Sequence, residues 1–200
     1  MTPRPDDLLE FWFGRQADDL AVAREKSALW FGGEAATDTL IRKRFGELRD
    51  RAMRGELVDW EQTPQGSLGL ILLVDQFSRN IHRGKPEAYA HDMQARSWAR
   101  RLVGGGGYAR LRPIQRVFVC LPLEHSETIA DQQQGVALLE QLARDVPAVQ
   151  RKEFENYADY ARRHRDIITR FGRFPHRNAV LGRESTPGEI EFLKLPNSSF

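Results

Sequence analysis

The run Leu68-Gly-Leu-Ile-Leu-Leu-Val74 carries no polar side chain and passes directly into Asp75-Gln-Phe-Ser-Arg-Asn80. A segment that is apolar on every side has to be buried on every side, so the rest of the chain must be built around it. A strand sandwiched between two layers reads the same way. The length of the segment, and the lack of a second strand-like run to pair with it, point instead to a central buried helix introduced by Pro64 and Ser67. The run is far short of the roughly 20 apolar residues that span a bilayer.

The flanking sequence repeats at helical spacing. Pro3 and Pro5 precede a short helix over Asp6–Phe13, closed by Gly14. Trp30 and Phe31 form a second aromatic knot ahead of Gly32-Gly33. Thr37 or Asp38 caps a helix that runs to about Arg54 and stops at Gly55, with Leu40, Ile41, Phe45, Leu48 and Ala52 facing inward. Trp60 sits in the connection that follows. Pro86 starts a helix through about Val103, ended by Gly104–Gly107. Pro113 starts another, with Ile114, Val117, Phe118 and Leu121 on one face. Pro122 disfavours helix at Leu121, so a kink or restart is expected there, after which Leu123–Arg144 continues helically to Pro147.

Gln150–Phe171 is the clearest helix, because Phe154, Tyr157, Ala161, His164, Ile168 and Phe171 alternate steps of three and four. Gly172 ends it, a loop holding Pro175 follows, and a last helix covers Thr186 to about Lys194. The expected fold is all-α: one domain over residues 1–200, with eight or nine helices packed antiparallel through short connections. No internal repeat is legible.

Several function classes are disfavoured. Thirty basic against 28 acidic side chains leave a net charge of +2, so no global field draws in nucleic acid or anionic lipid. Cys120 is the single cysteine, which excludes an intrachain disulfide and a zinc ribbon. Its apolar helical face predicts an inert thiol. The segment Met1–Asp7 lacks the apolar stretch of a signal peptide, so a cytoplasmic location is expected. Ser126 has no Gly-x-Ser-x-Gly elbow. Gly104–Gly107 precedes no Lys-Ser/Thr, so it is not a phosphate loop. No cofactor motif is present.

The chemistry-bearing residues concentrate in three blocks, Asp75–Arg83, Glu124–Gln132 and His164–Arg183. Asp75 and Arg79 are four apart on the continuation of the apolar helix, as are Gln76 and Asn80, so each pair shares a face. They are either a structural ion pair or part of a pocket. Glu124, Glu127 and Asp131 would lie on one face of a continuous helix and would need cations, a metal or water around them. Glu-His-Ser-Glu matches no established metal-ligand spacing, so no metal site is expected. His164 lies in the apolar stripe, where a neutral hydrogen-bonded core residue and a functional group read alike. Arg170, Arg173, Arg177, Arg183 and His176 stand in a loop anchored by Phe171 and Phe174. Arginine forks suit carboxylate or phosphate, or they pair internally with Asp75, Glu124, Glu127 and Asp131.

At these residues the chain resembles a bacterial family, the domain of unknown function 924. The resemblance rests on Leu9-Glu-Phe-Trp-Phe-Gly14, Asp75–Gly84, Leu121–Glu127, Ala130–Gln132, Arg170–Asn178 and Leu181-Gly-Arg183, and it covers almost the whole chain. Ser78 stands where the family typically has proline and His82 where it has tyrosine. The Gly104–Gly107 run is also atypical. The resemblance implies an all-helical, right-handed array like that of tetratricopeptide-repeat proteins, and no activity.

Three functional readings follow. In the first, a helical scaffold holds a small anionic ligand or an acidic peptide end. Arg79, Arg173 and Arg177 would grip it, His125, His164 and His176 would donate hydrogen bonds, Asn80 and Arg170 would lie beside them, and Asp75 and Glu124 would orient the arginines. In the second, the site is a hydrolase-like acid–base enzyme with Glu124 or Asp75 as base and His125 or His176 as acid. In the third, the chain is a protein-interaction module whose charges are internal ion pairs.

Overall fold

The computed structural model describes residues 4–196 and 198–199. Pro3, expected just ahead of the first helix, lies outside them. The described residues form helices joined by short connections and no strand, so the fold is all-α. In order, the helices are α1 (Pro5–Phe13), α2 (Asp19–Phe31), α3 (Ala35–Met53), α4 (Pro64–Ile71), α5 (Phe77–Ile81), α6 (Asp92–Gly104), α7 (Pro113–Glu124), α8 (Ile129–Asp145), α9 (Ala148–Phe171) and α10 (Pro187–Leu193). A single π-helical turn, Leu72–Gln76, joins α4 to α5. The apolar run is therefore helix, and Leu68 through Val74 are buried.

The run is buried because every neighbour packs on it. α4 touches α1, α6 and α7, and the π turn touches α3, α6 and α7. Below it lies an aromatic core. The Phe118 ring is 4.8 Å from that of Trp30 and 5.2 Å from that of Phe13. Phe77 reaches Trp12 at 5.1 Å and Phe45 at 5.0 Å. The Trp30 indole N–H donates to the Trp12 carbonyl at 2.9 Å, so a polar atom buried with the rings is satisfied. α8 lies along α7 and α9 along α8.

The structure departs from the sequence reading at five places. α2 has no apolar stripe to announce it, since among its apolar residues only Val22, Ala23 and Trp30 are buried. α3 starts at Ala35, ahead of the expected cap. Asp38 accepts instead from Asn80 and Arg83. Pro86 begins a short 3₁₀ turn, Pro86–Ala88, and the helix proper starts at Asp92. Pro122 lies inside α7 without restarting it. It sits in the last turn, where its missing N–H costs only one ladder bond. The helix ends just beyond, at Glu124. There the Ser126 hydroxyl accepts from the Thr128 N–H at 3.1 Å and offers the backbone a turn in place of another helical bond.

Gly66 touches the 3₁₀ turn Val58–Gln62 so closely that a Cβ there would stand 2.1 Å from the Trp60 carbonyl oxygen. Gly46, in the middle of α3, has nothing within 4 Å of such a Cβ. Gly66→Ala should cost about 1–3 kcal/mol of stability. Gly46→Ala should add about 0.5–1 kcal/mol. Urea denaturation of the two variants beside the parent checks both signs.

Candidate functional site

The π turn carries Asp75 into the interior with no exposed surface at all. π turns widen a helix by one residue and often mark functional sites. A carboxylate in such a place must be paired. Asp75 Oδ1 takes both the Arg79 Nη1 at 3.0 Å and the His125 Nδ1 at 2.8 Å. Gln76 Nε2 donates to Oδ2 at 2.6 Å. Burial alone would raise the Asp75 pKa. The Arg79 charge and His125 outweigh it and hold the carboxyl well below the usual range.

Arg79 is itself shared. Its Nη1 and Nη2 form a bidentate pair with Asp92 at 3.0 and 2.9 Å, from the first turn of α6. Sequence reasoning missed Asp92, because an acid in a first helical turn reads as an ordinary dipole partner. It also missed Tyr89, whose ring faces both Arg79, at 5.6 Å, and Arg177, at 4.8 Å.

Arg177 is 6% exposed. It lies between the rings of Tyr89 and Phe174, the latter at 4.4 Å. Its Nη1 donates to the His125 carbonyl at 3.0 Å, and Asp92 is 3.8 Å away. Its Nε has no partner among the described residues. Burial, helped by the Arg79 charge, brings its pKa down to about 10. Burial, followed by Arg79, likewise lowers that of His125.

His164 occupies the core stripe of α9 as expected. Its Nδ1 lies 3.0 Å from Glu124 Oε1 and 2.9 Å from the Tyr160 carbonyl. The His125 and His164 rings are 6.4 Å apart between centroids. His176 is half-buried beside Phe174, at 5.5 Å between rings.

The other candidates are committed elsewhere. Arg173 is not placed to grip a ligand, because it forms a bidentate pair with the buried Glu189 of α10 at 2.6 and 2.7 Å. Arg170 is exposed and lies over the Phe171 and Phe192 rings. Asn80 turns to Asp38 on α3. The three carboxylates expected on one face are separated by the break after α7. Glu124 meets His164 and, among the described residues, orients no arginine. Glu127 pairs with Arg183 at 2.8 Å and accepts the Phe174 N–H at 2.8 Å. Asp131 takes Arg96, Arg100 and the Ser126 hydroxyl. Much of the charge in the three blocks is thus paired internally.

What remains together at the protein surface is Arg79, Asp92, His125 and Arg177, with side chains 19%, 16%, 15% and 7% exposed. A shallow groove of about 470 Å³ runs along α6 nearby, lined by Met93, Arg96, Ser97, Arg100 and Arg101. Among the described residues no group of three or more His, Cys, Asp or Glu could hold a metal ion. No helix there is long and apolar enough to cross a membrane.

The profile of a family described as "Bacterial protein of unknown function (DUF924)" matches residues 8–197. A solved structure of a protein of unknown function, ATU0120 from Agrobacterium tumefaciens, is similar with a TM-score of 0.74 and 37% sequence identity. The match covers 88% of this chain and 99% of that one. No curated protein matches.

The burial of His176 has a pH signature. Desolvation, and then the Arg177 charge, keep its ring neutral down to about 4, against an ordinary 6.5. The unfolded chain therefore binds more protons between those values. Its contribution to stability is complete above about 6.5 and is lost as pH falls toward 4. His176→Gln should abolish on the order of 2–3 kcal/mol of that loss. Urea denaturation of both proteins at about pH 7.5 and about pH 4.5 measures it as the difference between the two pH dependences.

Proposed function

The chain belongs to the bacterial family of unknown function DUF924, and from its polar cluster we propose that it binds a small anionic ligand, with Arg177 as the principal grip. The observation that carries the reading is the state of Arg177. It is a nearly buried guanidinium that, among the described residues, has an unpartnered Nε and no carboxylate closer than 3.8 Å. A buried charge of that kind is costly until an opposite charge or a full set of acceptors reaches it. A carboxylate or phosphate oxygen beside it would supply both. Arg79, locked on two carboxylates, contributes field rather than a free fork. Asp75 is the strut that holds Arg79 and His125. Arg173 and Arg170 have no part in the grip.

The tetratricopeptide-like array belongs to this proposal as well. The succession of α7, α8 and α9, each packed on the next, is the arrangement that supports it. A cytoplasmic setting, where small carboxylates and phosphates are abundant, is part of the proposal too.

Titration calorimetry with inorganic phosphate and with succinate tests the grip. Arg177→Met, which keeps the stacking between Tyr89 and Phe174, should weaken binding of the preferred anion about 10- to 100-fold, the worth of a charged hydrogen bond. Arg170→Met should leave the affinity unchanged. Equal affinities for the parent and Arg177→Met would defeat the proposal.

A further inference from the structure

We propose that this anion site is hydrolytic, with His125 Nε2 as the base that activates water against a small anionic ester. The inference rests on the anion-binding reading above and adds a reaction to it.

The tautomer follows from geometry. An ionised carboxylate can only accept, so at 2.8 Å from Asp75 Oδ1 the His125 Nδ1 must carry the proton. In the neutral ring Nε2 then holds a lone pair. Nδ1 is committed to a fully buried group, which leaves Nε2 for any ligand, and the side chain keeps 15% exposure. Asp75 cannot itself be the base, since it is sealed and shared by Arg79, His125 and Gln76. It is a positioning residue, and the roles of carboxylate and imidazole are the reverse of those expected from sequence.

The charged and titratable groups around His125 come from every packed element. Asp75 and Arg79 come from the π turn and α5, and Asp92 from α6. His176 and Arg177 come from the turn after α9, and His164 from α9 itself. Burial and then the Arg79 charge favour the neutral, lone-pair form of the ring, and the Arg79 and Arg177 guanidiniums stabilise negative charge that grows on a bound group.

Neither Ser126 nor Cys120 competes as nucleophile. The Ser126 hydroxyl donates to Asp131 at 2.7 Å and accepts from Arg96 and Thr128. Cys120 is fully buried, and burial pushes its thiol up to about 12. The nucleophile is therefore solvent water, which the partial exposure of His125 admits. In the reaction, water gives one proton to Nε2 and its oxygen bonds to the acyl carbon or phosphorus. The ester bond to the alcohol oxygen then breaks, and the departing alkoxide takes the proton back from Nε2. One ester and one water become one acid and one alcohol.

The test uses p-nitrophenyl phosphate and mono-p-nitrophenyl succinate, which separate the phosphate and carboxylate sources, with neutral p-nitrophenyl acetate as reference. The expected result is turnover of one anionic ester above the neutral one, lowered about 100-fold or more in His125→Gln. The rate should fall on the acid side as His125 protonates. In Asp75→Asn that acid limb should move, which a merely structural role would not produce. Should His125→Gln melt far below the parent, the parent's rates in H₂O and D₂O decide: slower turnover in D₂O supports proton transfer, and equal rates overturn it. A parent protein that binds phosphate or succinate but cleaves neither ester overturns the hydrolytic inference and leaves the anion site standing. One that binds neither anion overturns both. Full activity in a folded His125→Gln also overturns the inference.

Discussion

The carboxylate of Asp75, held out of water on a π turn in the middle of the core, is the constraint around which the rest of the polar cluster is arranged. A charge placed there is tolerated only if cations and donors reach it. One oxygen meets Arg79 and His125, and the other meets Gln76. Arg79 then needs a second carboxylate, supplied by Asp92. His125 has its ring fixed in one orientation, and its carbonyl receives Arg177. Removing the carboxylate would therefore disturb α5, α6, the end of α7 and the loop after α9 together.

Around that centre the other acids act as ties. Glu127 accepts from the Phe174 backbone N–H and from Arg183, and so pins the loop after α9 at both ends. Glu189 draws Arg173 and closes the last helix over the end of α9, which Gly172 terminates in the left-handed conformation at φ 70°. Asp131 collects two arginines from α6. These pairs hold the loop steady while leaving Arg177 under-neutralised between two aromatic rings. The contrast between arginines that each hold a carboxylate, as Arg183 holds Glu127 at 2.8 Å, and Arg177, whose neighbour Asp92 stands 3.8 Å away, separates scaffold from candidate site.

The sequence exposed the fold where burial has a period. The stripe from Phe154 to Phe171 reads as helix because core contact repeats along it, and the wholly apolar run before Asp75 reads so only through its length and the lack of a second strand-like run to pair with. α2 did not, because its contact is made by a few residues without a stripe. The polar blocks were visible as blocks, since Asp75 follows a wholly apolar run and the charges around Arg177 stand in a loop flanked by Phe171 and Phe174. Their pairing was not visible. Nothing local says that Arg79 will take Asp92 or that Arg173 will take Glu189, because those choices are made by how α6 and α10 fold back. The grouping of Glu124, Glu127 and Asp131 failed for a local reason, the capture of the Thr128 N–H by Ser126, which a continuous-helix assumption hides.

The central claim is that Asp75 fixes His125 as a neutral ring protonated on Nδ1. Nitrogen-15 NMR of the histidine side chains at neutral pH tests it most directly. The account predicts that His125 shows a protonated Nδ1 and a bare Nε2, and that this signature vanishes in Asp75→Asn. A His125 protonated on Nε2, or on both nitrogens, would contradict it.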